Sequence, residues 1–294
     1  MKTISIYIIL IISMLSCKRE IVINIDDKPS VLVVDAALYP DSLLCINLSR
    51  TQNITDNSGK KYIEDATIEV FDEDTAIVDV LMHSVNGIYK SAVTRPEAGR
   101  LYLFKIARNS ETYWASERIP DTMECVLQDT SRIIFQGKNN FFQIQVRLND
   151  PLTKKNFYGL KVKRFYQQIN GKDTQNLVEW SRIETVDLIL TEDPLTKFSN
   201  KHLVFKDVYF NGSSQYLKFG VADLFTTPGQ VTTGLELVVS SYSENAYNYY
   251  SSVNEHLFYQ SDPFSQPAII RGNVPGAFGG IVGQFQQRFL IRFN

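Results

Sequence analysis

Phe142-Gln143-Ile144-Gln145-Val146-Arg147-Leu148-Asn149 decides the fold class. Apolar and polar side chains alternate without a break, the period of a strand with one buried face and one wet face. The pattern returns where Tyr158, Leu160 and Val162 alternate with Lys161 and Lys163. It returns again at Phe289, Ile291 and Phe293, with Arg288 and Arg292 facing the other way. Asn149-Asp150-Pro151 and Asn170-Gly171-Lys172-Asp173 read as turns, the second as the tip of a long hairpin. Val186 to Leu190, Tyr216 to Val221 and Leu235 to Ser240 read as further strands.

Upstream the strands are shorter. Val31 to Val34, Leu43 to Ser49, Ala66 to Val70, Ile77 to Met82, Gly87 to Val93, Leu101 to Ala107 and Thr112 to Ser116 are separated by turn signals. Asp72-Glu73-Asp74 reads as a hairpin turn, and Asn86-Gly87 and Glu97-Ala98-Gly99 supply backbone freedom. Short strands at this spacing predict an immunoglobulin-like β-sandwich over residues 30–119. Pro120-Asp121 marks a boundary, and residues 120–294 predict a larger antiparallel β domain. The 294 residues, with 15 Tyr and 18 Phe, suit a mostly β chain of two domains.

One segment departs from the strand period. From Ser243 to Gln260, Ala246, Tyr250, Val253 and Leu257 recur at helical spacing, with Tyr247 and Phe258 widening the stripe. Ser243 is the expected N-cap, and Ser241 with Glu244 forms a competing capping box. The helix should end before Asp262-Pro263. Its tyrosines are read first as a stripe packed on a sheet, with a ligand platform as the alternative.

The first residues decide the compartment. Lys2 precedes a near-continuous apolar run from Ile4 to Leu15, followed by Ser16-Cys17-Lys18-Arg19. The run is about a dozen residues, where a membrane-spanning helix needs roughly 20. Leu15-Ser16-Cys17 resembles a lipobox, with Met14 where leucine is usual. The reading is a lipoprotein signal peptide over 1–16, a lipidated Cys17 and a tether to residue 29. The expected location is the outer membrane, with the cell surface and the periplasmic face both open. Once Cys17 is lipidated, Cys45 and Cys125 remain, either as a disulfide that closes a long loop or as two isolated thiols.

Composition and motifs exclude more than they assign. Thirty Lys and Arg against 32 Asp and Glu leave no basic field for nucleic acid. His83, His202 and His256 lie far apart, and Glu255-His256 lacks the second histidine of a zinc helix. No Gly-x-Ser-x-Gly elbow occurs. Asp72-Glu73-Asp74 lacks the alternating ligands of a calcium loop. Gly272, Gly276, Gly279, Gly280 and Gly283 lack phosphate-loop order and read as tight turns and close strand approach. No catalytic residue, metal or cofactor is expected.

Several stretches, taken in order, carry a resemblance: Val31 to Asp35, Leu48 to Thr51, Asp65 to Val70, Gly87-Ile88-Tyr89, Phe205 to Gly212, the tyrosine-rich helix, Asp262-Pro263-Phe264 and Asn273 to Gly279. Together they resemble Bacteroidota lipoproteins grouped as domain of unknown function 4249. Pro275 departs from the Asn-Ile-x-Gly pattern more usual there. The resemblance implies an envelope lipoprotein with an immunoglobulin-like first domain, often encoded near TonB-dependent outer-membrane receptors. It brings no catalytic residues.

Residues 262 to 280 form the candidate interaction loop, with Asp262, Pro263, Phe264, Asn273, Gly276 and Phe278 as its candidate contacts. A long loop of this kind is uncommon unless it functions, and the alternative is a loop that seals the sheet. The leading expectation is a non-catalytic binding or accessory component of a TonB-dependent uptake system. The alternatives are a free-standing scaffold or adhesion-type lipoprotein, and an envelope hydrolase whose carboxylates are assembled by the fold.

Overall fold

The structure, a computed structural model, describes residues 29–293 apart from 54–55, 136–138, 153, 172, 186–189, 191–195, 209, 223, 225–226, 261, 263 and 267. Side chains of 132–135, 139–141 and 196 are also outside the description. The expected signal peptide, Cys17 and most of the tether lie outside the described residues, as does most of the strand expected at Val186 to Leu190.

The chain is mostly β. The first group of strands is β1 (Leu32–Leu38), β2 (Cys45–Arg50), β3 (Lys61–Tyr62), β4 (Thr67–Phe71), β5 (Ile77–His83), β6 (Ile88–Lys90), β7 (Leu101–Arg108) and β8 (Glu111–Arg118). Next come β9 (Glu124–Phe135), β10 (Asn139–Asn149), β11 (Phe157–Asn170), β12 (Asp173–Trp180) and β13 (Ile183–Thr185). The remainder is β14 (Leu203–Lys206), β15 (Ser214–Val221), β16 (Gln230–Tyr242), helix α1 (Glu244–Gln260) and β17 (Phe278–Arg292). One large sheet runs in the order β12-β11-β16-β17-β1-β2-β6-β5-β4-β7-β8, and a smaller one runs β13-β15-β10-β9.

Alternation becomes burial. Ile144, Val146 and Leu148 of β10 and Leu217 and Phe219 of β15 are fully buried. They face Leu160 and Val162 of β11 and Leu235 and Leu237 of β16 in one apolar cluster, a two-layer sandwich. Each such side chain contributes roughly 1.5–3 kcal/mol of burial free energy. A second cluster joins Val34, Ile46, Leu48, Ile68, Phe104 and Ile106 of the first strands to Val274 and Ile281, which lie far along the chain.

β17 enters both clusters. Its first part pairs in parallel with β1, from Val33 opposite Phe278 to Leu38 opposite Gly283. Its second part pairs antiparallel with β16, from Tyr242 opposite Gln284 to Gly234 opposite Arg292. The strand pairs within residues 120–294 are antiparallel as expected, and the parallel pair joins that domain to β1 of the N-terminal strands. Glycine makes the parallel approach to β1 sterically feasible: Gly279, opposite Val34, sits at φ +79°, and a Cβ there would run into the Val34 carbonyl.

Local signals fix several boundaries. Asp72 turns the β4–β5 hairpin by accepting Asp74 N at 3.0 Å and Ala76 N at 2.9 Å. The strand expected to reach Val93 stops at Lys90, because Ser91 Oγ takes the amides of Val93 and Thr94 into a turn. Ser243 Oγ accepts Ala246 N at 2.9 Å and caps α1 as its sequence predicts.

The buried face of α1 differs from the expected stripe. Ala246, Tyr247, Ser251, Ser252 and Asn254 are buried, while Leu257 is 58% exposed. The N-terminal half of α1 packs on Phe157, Val204, Tyr242 and Val282. Ser251 and Ser252 bring it close by returning their hydroxyls to its own carbonyls. Further along, the buried positions give way and Leu257 faces water among the described residues.

Candidate functional site

The stretch from Asp262 to Gly280 divides into two parts with different surroundings. Asp262 Oδ1 accepts Phe264 N at 3.0 Å and Oδ2 accepts Ser265 Oγ at 2.6 Å, forming a tight turn whose donors hold its carboxyl below the usual range. Phe264, at the apex, is 96% exposed, and Ile269 is 86% exposed. The chain is then tied back to α1: His256 Nδ1 lies 2.8 Å from Ala268 O, and Ser252 Oγ accepts Arg271 N at 2.9 Å. Pro263 lies outside the described residues.

Beyond Arg271 the same stretch enters the fold. Asn273 Oδ1 accepts Ile281 N at 2.9 Å and its Nδ2 donates to Ile281 O at 2.7 Å, closing a hairpin-like return onto β17. Val274 is buried in the second cluster, the one built on the N-terminal strands, and Gly276, at φ +81°, lets the turn close from Val274 O to Ala277 N. Phe278 is half-exposed at the start of β17. Asp262 and Phe264 thus lie in an exposed turn, while Asn273 and Gly276 shape the seal over the second cluster.

A buried acid that the sequence did not single out organises this junction. Glu117 of β8 is fully buried. Its Oε1 accepts Gly283 N at 2.7 Å, and its Oε2 accepts Asn245 Nδ2 at 2.7 Å and Asn273 Nδ2 at 3.1 Å. Burial raises its pKa, against the pull of donors that also include Ser243. Ser116-Glu117-Arg118 gives no local hint of this, because charged residues on a short strand ordinarily face water.

Under α1 lies an aromatic nest. His202 Nε2 is 2.7 Å from Tyr242 Oη, and its ring meets Tyr242 and Tyr250 edge-on. Gly159 leaves room for the Tyr242 ring, which a Cβ would strike. Burial, reinforced by the nearby Lys161 ammonium, holds His202 well below its ordinary pKa and hence neutral. Gln284 Nε2 donates to Tyr250 Oη at 3.2 Å. The tyrosines pack the helix to the sheet.

Carboxylates gather at one other place. Asp150 and Asp207 are buried near Tyr158, whose hydroxyl donates to Asp150 Oδ1 at 2.5 Å. Asp150 Oδ2 also accepts Gly212 N at 2.8 Å, and Asp207 Oδ2 accepts Asn156 N at 2.6 Å. Their oxygens hold backbone turns. A cleft of about 430 Å³ opens beside Tyr158 and the start of α1, and its lysines are paired, Lys154 with Asp121 and Lys155 with Glu244 at 3.7 Å.

Cys45 and Cys125 are free thiols, so of the two expected states the structure has the isolated one. Burial pushes Cys125 up to about 12. Among the described residues no group of His, Cys, Asp or Glu is placed to hold a metal ion, and no helix is long and apolar enough to cross a membrane.

Comparison with curated proteins returns no match. A family model described as Domain of unknown function (DUF4249) matches residues 18–288. That span takes in the exposed Asp262 turn, the Asn273 seal, Glu117 and nearly all of β17, and the chain belongs to the DUF4249 family.

Proposed function

We propose that this protein is an outer-membrane lipoprotein, anchored through Cys17, that binds a partner and does not catalyse a reaction. The observation that carries this reading is Phe264, almost fully exposed at the tip of a turn that is held on both sides. A large apolar side chain presented on a braced loop loses little freedom when a partner covers it, which favours binding. The resemblance to a lipobox at Leu15-Ser16-Cys17, and a family match that begins at the next residue, support the anchor.

The partner class that fits the family resemblance is a TonB-dependent outer-membrane receptor, with this chain as its accessory. Gentle-detergent purification from the native envelope, with co-eluting proteins identified by mass spectrometry, tests it. A stoichiometric receptor that is lost on Phe264→Ser supports the accessory role. Recovery of the protein alone overturns it in favour of a free-standing scaffold.

A further inference from the structure

The outward face of the large sheet, on the side that carries α1, continues past the helix with nothing over it among the described residues. Strand register places Phe165, Val178, Trp180, Val231 and Leu290 together on this face. Val178 is 58% exposed and Leu290 57%. Gly234, opposite both Phe165 and Arg292, contributes no side chain to divide them. Exposed apolar side chains gathered on one face of a sheet point to an interaction site.

The face also carries an excess of positive charge. Lys161, Lys163, Arg288 and Arg292 share it, and Glu236 is the one carboxylate that β11, β12, β16 and β17 place among them. Glu236 is divided between Lys163 at 3.0 Å and Arg288 at 3.6 Å. The Lys161 and Lys163 ammonium groups lie 5.5 and 5.0 Å from the Trp180 ring centroid. Apolar side chains are thus set within an unbalanced positive field.

This face ends at an open edge. β12 is the last strand of its sheet, and all eight of its residues are exposed. Asp173-Thr174-Gln175-Asn176-Leu177-Val178-Glu179-Trp180 contains no proline or lysine, and its two charges, Asp173 and Glu179, lie on the opposite side from Val178 and Trp180, with Glu179 bound to Arg164. A thinly guarded edge beside a patterned face is the geometry of strand addition, in which backbone bonds give affinity and side chains give selectivity.

We infer that β12 is the docking edge for an extended, net-acidic segment of another protein, whose apolar side chains lie beside Val178 and Trp180. Charge sets the chemistry of the occupant: acidic groups on that segment answer Lys161 and Lys163, the cations that β11 places beside Trp180. A second copy fits poorly, because edge-to-edge pairing would bring one cationic face alongside another. A bilayer fits poorly as well, because lipid offers no backbone groups to pair with the open β12 edge.

The test uses the lipid-free chain from residue 18 onward, so it is independent of whether a receptor co-purifies. A display library of random peptides of about twelve residues is selected on it. Enriched peptides should be rich in Asp and Glu with interspersed apolar residues, and should slow hydrogen exchange at the β12 amides. Val178→Glu should lower their affinity by about tenfold without moving the melting temperature, and Trp180→Ala should act in the same direction. Failure to enrich any peptide, enrichment of basic peptides, or binding indifferent to both substitutions overturns the proposal. So does a concentration-dependent dimer broken by Val178→Glu, which would make the occupant a second copy. Binding to phosphatidylglycerol vesicles that the same substitution abolishes would make it a bilayer.

Discussion

The Glu117 carboxylate accepts a hydrogen bond of 3.1 Å from the Asn273 amide, although the two residues stand 156 positions apart. The same acid receives Asn245 at the start of α1 and Gly283 on β17. One side chain therefore ties β8, the helix, the sealing loop and the last strand at a single point. Removing it would leave several donors buried and unmatched.

Glu117→Ala is expected to destabilise the chain by about 2–4 kcal/mol, measured by urea unfolding, and Asn273→Ala should be non-additive with it. The pH dependence has a definite sign. Burial raises the folded-state pKa of Glu117, so its contribution is full below the ordinary Glu value and declines as pH rises through the raised one. Glu117→Gln should remove that slope from stability measured between about pH 4 and 8.

His202 should behave in the opposite sense. Its folded pKa lies well below the ordinary value, so the stability it confers is present above about pH 6.5 and falls as the unfolded chain takes up protons below that. By NMR its ring should remain neutral on passing below the ordinary histidine value of about 6.5.

Gly159→Ala should displace the Tyr242 ring and, with it, the contact to His202. A loss of about 1–3 kcal/mol is expected, with altered tyrosine signals in near-ultraviolet circular dichroism. An unchanged spectrum would contradict the packing described for the aromatic nest.

Phe264→Ser together with Ile269→Ser should leave the melting temperature unchanged, because both side chains already face water. Recovery of the envelope partner should fall. Deleting residues 266–276 should instead lower stability sharply, since it removes Asn273 and the buried Val274. A measurable loss from the double serine variant would place the tip in the fold.

Cys17→Ala should abolish labelling by radioactive palmitate and release the protein from membranes. Retention without lipid would contradict the anchor.

How much of this could be read from the residues varied with the physics involved. Phe142, Ile144, Val146 and Leu148 are buried on β10 as their alternation requires, and Ser243 caps α1 where it was expected. Such features depend on neighbours in sequence. β9 escaped notice because a bulge places Leu127 and Asp129 opposite the adjacent Val146 and Gln145, leaving Gln128 between them and breaking the period. In the candidate loop the exposed Phe264 was legible from its company of turn residues. The role of Glu117 was not, since its partners are supplied by distant segments. The outward face with Trp180 was equally hidden, because strand order decides which exposed residues become neighbours.

The parallel pairing of β1 with β17 sets a constraint in time as well as in space. A ribosome releases β1 early and β17 last, yet Ile281 and Val274 complete the apolar cluster that begins with Val34. The first strands thus have no finished core until almost the whole chain has emerged. If the chain crosses a membrane in extended form, as the proposed anchor requires, that delay would keep it from collapsing before β17 closes the structure. The same dependence means that the N-terminal strands expressed without the C-terminus should gather as an unfinished, aggregation-prone fragment, not as a domain.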